Sequence, residues 1–169
     1  MKEYKYFTDV CLHAEFSKEK CQFCGSTEKC LEGVYFDNPM ISSICLKCFE
    51  QRKAKVNIPE YIRNKIKNNV NEKVEELEYT PPVPWIQYND WQVCCDDFCQ
   101  FLGEWKKDNF INNSSGENPI TFFKSVLCKE TLELVDDIEV LWEDLGKYTT
   151  AFVFQCKKCN KKIVVCQSY

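Results

Sequence analysis

Cys21-Gln22-Phe23-Cys24 is followed, after 20 intervening residues, by Cys45-Leu46-Lys47-Cys48. In each CxxC segment a tight turn brings both sulfurs within reach of the same ion, so four thiolates can surround one Zn²⁺ tetrahedrally at about 2.3 Å. Gly25, directly after the first pair, suits a turn with a positive φ. The alternative is a set of incidental buried cysteines. We favour a zinc site in which all four cysteines are ligands, and we expect it to organise the fold around it.

A second set of four cysteines is spread more widely along the chain. Cys156-x2-Cys159 has no CxxC partner, but Cys95 and Cys99 lie four residues apart in a segment that we predict to be helical. Residues four apart on a helix point the same way, so this pair and the CxxC pair can close a second tetrahedral zinc site. Cys94 can replace its neighbour Cys95 as a ligand. The competing interpretation is that cysteines on an apolar helix face are ordinary core residues.

The number and setting of the cysteines favour metal binding over disulfides. The chain has 13 cysteines, an odd number that excludes complete pairing within one chain. We find neither a signal-type apolar start nor about 18 uninterrupted apolar residues, so we expect a cytoplasmic protein away from membranes, where thiols stay reduced. The cysteines outside the two predicted sites are interpreted as buried thiols: Cys11, Cys30, Cys94, Cys128 and Cys166.

Composition and spacing predict an α+β fold. Residues 1–56 consist of short apolar pieces separated by turn residues, which is typical of a zinc-ribbon-like module. Residues 57–169 are predicted to be helical and to end in two strands, near 151–155 and 162–166, joined by the Cys156–Cys159 knuckle. We expect this knuckle hairpin to pack against the helices, and both parts to form one compact unit.

Apolar periodicity places the predicted helices. One of roughly 18 residues begins near Pro59, and it carries Ile62, Ile66, Val70, Val74 and Leu77 on one face. Another begins after Asp90 and ends near Gly103, with the apolar and cysteine side chains between them on one face. Two more are predicted over residues 120–128 and 131–145, and residues 106–119 are predicted to be a polar loop.

The sequence offers little that is typical of an enzyme. His13 is its single histidine, which removes most histidine-based triads and histidine-ligated zinc sites. Neither GxxxxGK[ST] nor GxGxxG occurs. Asp96 and Asp97 are adjacent, so on a helix their carboxylates would point about 100° apart, and we interpret them as solvated acids or as neighbours of the zinc ligands. We therefore expect a non-enzymatic protein.

Two segments resemble the CbrC-like family of uncharacterised bacterial proteins. The first runs from Pro81-Pro82-Val83-Pro84-Trp85 to Cys95-Asp96-Asp97-Phe98-Cys99, and the second is Ala151-Phe152-Val153-Phe154-Gln155-Cys156-Lys157-Lys158-Cys159. The N-terminal cysteine pairs match that family's arrangement, whereas position 94 is one where the resemblance leads us to expect histidine. The resemblance implies zinc binding and a link to tolerance of a nuclease-type toxin, and it implies no reaction.

Three functions follow from these features. The first is a protein-interaction module, in which an acidic stretch would attract a basic partner; it consists of Glu130, Glu133, Asp136, Asp137, Glu139, Glu143 and Asp144. The second is nucleic-acid binding by the C-terminal knuckle, where four lysines lie beside Phe152 and Phe154. The net charge of −4 and the pI near 5.2 argue against it. The third is a thiol redox or metal-handling protein.

Overall fold

The computed structural model describes residues 2–169, and over these residues the chain is α+β, as predicted, with eight short α-helices and eight strands. The helices are α1 (Val10–His13), α2 (Leu46–Glu50), α3 (Glu60–Arg63), α4 (Val70–Glu78), α5 (Lys107–Asn113), α6 (Pro119–Val126), α7 (Lys129–Leu134) and α8 (Ile138–Asp144). The strands are β1 (Phe16–Ser17), β2 (Cys30–Glu32), β3 (Ser43–Cys45), β4 (Val93–Cys94), β5 (Asp97–Phe98), β6 (Gln100–Trp105), β7 (Thr149–Gln155) and β8 (Lys162–Ser168). Among the described residues no helix is long and apolar enough to cross a membrane.

The N-terminal sheet is antiparallel in the order β1-β2-β3. Cys30 of β2 pairs with Cys45 of β3, so the sheet places the start of the second CxxC segment beside the strand that follows the first CxxC segment. A 3-10 turn at Gly33–Tyr35 follows β2. Gly33 is required there, because a Cβ would overlap the carbonyl oxygens of Ile41 and Ser42.

The C-terminal sheet is antiparallel in the order β6-β7-β8, and its two long strands are those predicted on either side of the knuckle. The alternation of side chains along β7 separates two cores. Phe152 and Phe154 face the larger core, which also contains buried cysteines, while Ala151 and Val153 face a smaller core covered by α5, α6 and α8. The larger core contains side chains from both sides of residue 56. The domain boundary predicted at that residue stays a prediction.

The helix predicted between Asp90 and Gly103 is wrong, because this segment forms β4, β5 and the start of β6. Cys95 and Asp96 have φ values of 53° and 55°, so they form a two-residue turn between paired strands. A turn with positive φ at both central residues matches the twist of a hairpin and cannot continue a helix. Asp96 tolerates a positive φ, but the Asn-Gly or Asp-Gly pair that usually signals such a turn is absent.

The structure differs from three further predictions about where helices lie. The roughly 18-residue helix is broken into α3 and α4, since the backbone N–H groups of Lys67 and Asn68 bind the Asp96 carboxylate instead of carbonyls of their own helix. The helix predicted over 131–145 is divided into α7 and α8, because Asp137 caps a new helix. The predicted polar loop contains α5, which its buried Phe110 fixes against the smaller core. The helix predicted over 120–128 is confirmed as α6.

Candidate metal centres

The structure brings together the four N-terminal cysteines that the spacing groups. In this first group, Cys21, Cys24, Cys45 and Cys48, all four Sγ atoms lie within 4.8 Å of one another. Four Zn–S bonds of about 2.3 Å in a tetrahedron require sulfurs about 3.8 Å apart. The Sγ atoms of Cys24 and Cys45 are 3.5 Å apart. The group therefore has the ligand type and the size that fit a zinc ion.

The first CxxC turn is a knuckle closed by backbone hydrogen bonds. The Cys21 N–H donates to the Ser26 carbonyl at 2.7 Å, and the Gly25 N–H donates to the Cys21 carbonyl at 2.8 Å. Gly25 has a φ of 73°, the positive value that its position predicted. Cys21 is buried at the base of the knuckle and Cys24 is exposed at its tip. The turn thus fixes two sulfurs before any ion binds.

The other half of the first group comes from the junction of β3 and α2. Cys45 ends β3 and precedes α2, and Cys48 lies within α2, so the strand-to-helix turn directs both sulfurs to one point. The Lys53 ammonium lies 3.6 Å from the Cys48 sulfur. A tetrathiolate zinc centre carries two net negative charges, and this lysine is placed to offset part of them.

The thiols of the first group differ in their pKa values. Burial by itself raises the pKa of the Cys21 thiol. Hydrogen bonds from backbone N–H groups, including those of Cys45 and Phe23, together outweigh burial and bring the pKa to about 6. Burial raises the pKa of Cys45 to about 12. Neighbouring thiolates repel one another, so the knuckle stabilises one negative charge. A divalent cation would supply the charge that lets the other sulfurs ionise.

The second group contains Cys94, Cys95, Cys156 and Cys159, again with all Sγ atoms within 4.8 Å of one another. The sulfur of Cys94 lies 3.9 Å from that of Cys95 and 3.6 Å from that of Cys159. These separations also match the edge of about 3.8 Å that a zinc tetrathiolate requires. The structure therefore brings together both adjacent cysteines of the β4–β5 turn with the C-terminal CxxC pair.

Cys99, which the sequence placed in this second group, is not brought into it. The helical spacing that paired it with Cys95 does not exist, because the hairpin reverses the chain between these residues. Cys99 follows β5, is fully buried in the larger core and donates its N–H to the Gln92 carbonyl. Cys94 takes its place, at the position where the family resemblance suggested another ligand type.

The C-terminal knuckle repeats the geometry of the first. The Cys156 N–H donates to the Lys161 carbonyl, and the Asn160 N–H donates to the Cys156 carbonyl, both at 2.9 Å. Asn160 has a φ of 60°, in the place that Gly25 occupies in the first knuckle. Burial by itself raises the pKa of Cys156, but hydrogen bonds, including those from the N–H groups of Cys159 and Lys158, outweigh burial and bring the pKa to about 7. The same backbone construction thus occurs twice in one chain.

The turn that carries Cys94 and Cys95 is anchored from outside the metal group. The Asp96 carboxylate accepts hydrogen bonds from the Lys67 N–H at 2.8 Å and the Asn68 N–H at 3.1 Å. These backbone N–H groups and the Asn68 side chain lower the pKa of Asp96. The Lys158 ammonium donates to the Cys95 carbonyl at 3.1 Å, which joins the turn directly to the knuckle. Asp96 is therefore a neighbour of the metal group, one of the two roles considered from the sequence.

The remaining cysteines have other surroundings. Cys30 is buried, and its sulfur lies 3.3 Å from the carbonyl of Ser26 in the first knuckle. Cys128 is buried and caps α7 by accepting the Thr131 N–H. Cys166 is half-buried. The interpretation as buried thiols is wrong for Cys11, which is exposed with the Lys29 ammonium 3.1 Å from its sulfur. It is also wrong for Cys94, which is half-buried and belongs to the second group.

Other candidate residues take structural positions. His13 packs edge-on against Phe101 and lies against Gly103, and burial lowers its pKa. Phe152 and Phe154, which the nucleic-acid hypothesis required as stacking rings, are fully buried in the larger core. Neither ring is therefore exposed to stack on a nucleic-acid base beside the lysines of the C-terminal knuckle.

A family model described as Uncharacterised protein family (UPF0167) matches residues 1–167. No curated protein and no solved structure matches the chain.

Proposed function

Because the chain belongs to this uncharacterised family, whose description names no reaction, we propose from the site geometry that it is a non-enzymatic protein stabilised by two zinc ions. The observation that carries the proposal is the double convergence of four cysteine sulfurs, from segments distant in sequence, at the spacing of a tetrahedral ion. Four thiolates leave no open coordination position for substrate or water, which is typical of structural rather than catalytic zinc.

Zinc is preferred to other metals on ligand chemistry. Thiolates are soft ligands, and a tetrahedral set of four sulfurs suits Zn²⁺ or iron–sulfur chemistry rather than magnesium or calcium. Each group contains a knuckle whose backbone N–H groups point at a sulfur. These N–H groups stabilise a thiolate whether the bound metal is zinc or iron. We expect zinc as the resident ion, and we propose that β1-β2-β3 with the first knuckle is the zinc-ribbon-like module.

Metal analysis of purified protein tests this proposal. We expect two zinc ions per chain, no visible absorbance from iron, and loss of folded structure in strong chelator, measured by circular dichroism. The variant Cys156→Ala should bind one zinc ion, whereas Cys128→Ala, which removes a buried sulfur outside both groups, should bind two. Metal-free protein that stays folded in chelator would contradict the proposal.

We further propose that the folded protein acts as a protein-interaction module in the bacterial cytoplasm, where reduced thiols can hold zinc. The exposed carboxylates of α7 and α8 would attract a basic partner. Leu134 and Val140, which are 78% and 57% exposed among them, would add apolar contact to such an interface. The resemblance to the CbrC-like family adds tolerance of a nuclease-type toxin to this proposal. The test is binding of a basic nuclease domain to the zinc-loaded protein: we expect binding at low salt that weakens as salt rises, and no binding at low salt would refute this role.

A further inference from the structure

A cleft of about 560 Å³ lies away from both cysteine groups. Its walls are the 3-10 turn at Gly33–Tyr35, the segment around residues 56–61 and the segment around residues 80–91. The volume falls within the range of about 300–1,000 Å³ that ligand pockets occupy. Neither the metal groups nor the acidic surface of α7 and α8 contributes to it.

The lining of the cleft is aromatic and carries no charge. Charged residues make up 28% of the chain, yet none of the 18 residues that line the cleft is charged. Its aromatic residues are Tyr35, Phe36, Tyr61, Trp85, Tyr88 and Trp91. Pro59 and Pro82 add two further flat apolar surfaces. A charged ligand would lose its hydration here without gaining a counter-charge, so the lining selects an uncharged one.

Hydrogen bonds to the backbone hold the segment around residues 80–91 in the wall of the cleft. The side chain of Gln167, itself buried, accepts the N–H groups of Ile86 and Gln87 at 3.0 Å and donates to the Tyr88 carbonyl at 2.8 Å. The Tyr61 hydroxyl donates to the Asn89 carbonyl at 2.7 Å. These bonds fix the backbone that presents the rings, and a preorganised site loses less entropy on binding.

The cleft also offers hydrogen-bond donors to an occupant. Within residues 2–169 the indole N–H of Trp85 and the hydroxyl of Tyr88 form no hydrogen bond to the protein. Tyr88 is 49% exposed at the mouth of the cleft. An occupant that fits must therefore be uncharged, present flat apolar surface and carry acceptors for these donors.

We propose that this cleft binds an uncharged, proline-rich segment of a partner protein in the polyproline II conformation. Such a segment forms no internal hydrogen bonds, so its carbonyl groups are free to accept from the Trp85 and Tyr88 donors. Its proline rings are flat apolar surfaces, and aromatic-lined grooves are a recurrent way of binding them. This inference rests on the proposed role as an interaction module and names the class of segment that it recognises.

The probe is a ten-residue proline peptide, with a ten-residue Gly-Ser peptide as its control, titrated against the full chain. We expect the proline peptide to change the fluorescence of Trp85 and Trp91, and the Gly-Ser peptide to leave it unchanged. Tyr88→Ala should weaken binding about tenfold, because it removes an aromatic ring and a hydrogen-bond donor at the mouth of the cleft. Tyr148→Ala should bind like the unaltered protein, since Tyr148 is 67% exposed and lies outside the cleft.

The inference would be overturned by no binding of the proline peptide, by equal binding of both peptides, or by binding that Tyr88→Ala does not weaken. Adenosine or maltose binding at the cleft in place of the proline peptide would also overturn it. The zinc content of each sample separates the two proposals. Protein that holds two zinc ions but binds no proline peptide refutes this inference alone, whereas protein without zinc refutes the proposed function.

Discussion

Replacing Cys94 or Cys99 by alanine separates the structural account from simple helical spacing. Each change removes one sulfur: Cys94 ends β4, and Cys99, five positions later, directly follows β5. Cys94 contributes to the second group, with its sulfur 3.6 Å from that of Cys159. Cys99 is fully buried outside that group. The structure therefore predicts that only Cys94→Ala loses a zinc ion.

The expected free energies of unfolding differ in size and in zinc dependence. Cys99→Ala removes one buried sulfur from the larger core, which costs about 1 kcal/mol by comparison with the loss of a buried methyl group. Cys94→Ala removes a ligand, so the fold loses the stabilisation that zinc provides, about 4 kcal/mol when free zinc exceeds its dissociation constant 1,000-fold. For a chain of this length, each kcal/mol lowers the melting temperature by about 2–4 °C.

Metal analysis and urea unfolding at fixed free zinc measure both quantities. We expect a zinc-to-protein ratio of two for Cys99→Ala and of one for Cys94→Ala, with the larger loss of stability in Cys94→Ala. Two zinc ions in Cys94→Ala and one in Cys99→Ala would show that the ligand set derived from the hairpin is wrong and that the helical pairing is right.

Three other substitutions test the support of the second metal group, the close backbone contact at Gly33 and the burial of His13. Asp96→Ala should weaken zinc binding at the second group by about 10–100-fold in a chelator competition, as loss of a supporting hydrogen bond does, while Asp136→Ala on the exposed surface should leave it unchanged. Gly33→Ala should destabilise the protein by about 1–3 kcal/mol in urea unfolding, because its Cβ would overlap two backbone carbonyls; unchanged stability would contradict this close approach. Burial lowers the pKa of His13 below 6.5 although Asp9 raises it, so the unfolded chain binds the proton more readily and stability should fall as the pH drops below 6.5. His13→Gln should reduce that loss, as followed by thermal unfolding at pH 5 and pH 7.5.

The sequence predicted those parts of the fold that depend on short-range patterns. The CxxC spacing grouped Cys21, Cys24, Cys45 and Cys48, because a two-residue turn fixes the relation between its sulfurs wherever it occurs. The C-terminal strands were predicted from alternating and β-branched residues around Cys156 and Cys159. Both features are local, and the structure brings the same residues together.

The parts that were missed depend on long-range contacts. Residues from Trp91 to Leu102 show helical spacing of apolar side chains, but Cys95 and Asp96 adopt left-handed conformations. The contacts that stabilise that turn come from Lys67 and Lys158, far away in sequence. The periodicity of apolar residues carries no information about such distant partners. It therefore could not show that Cys94, and not Cys99, belongs to the second metal group. The aromatic cleft was missed for the same reason, since its walls come from three separate segments.

X-ray absorption at the zinc K-edge of the purified, unaltered protein tests the central claim most directly. The account predicts that the average zinc ion is surrounded by four sulfur atoms at about 2.3 Å, with no nitrogen or oxygen in the first coordination shell. A shell containing nitrogen or oxygen ligands, or protein that holds no zinc and remains folded, would contradict the claim that two sets of four cysteines hold structural zinc.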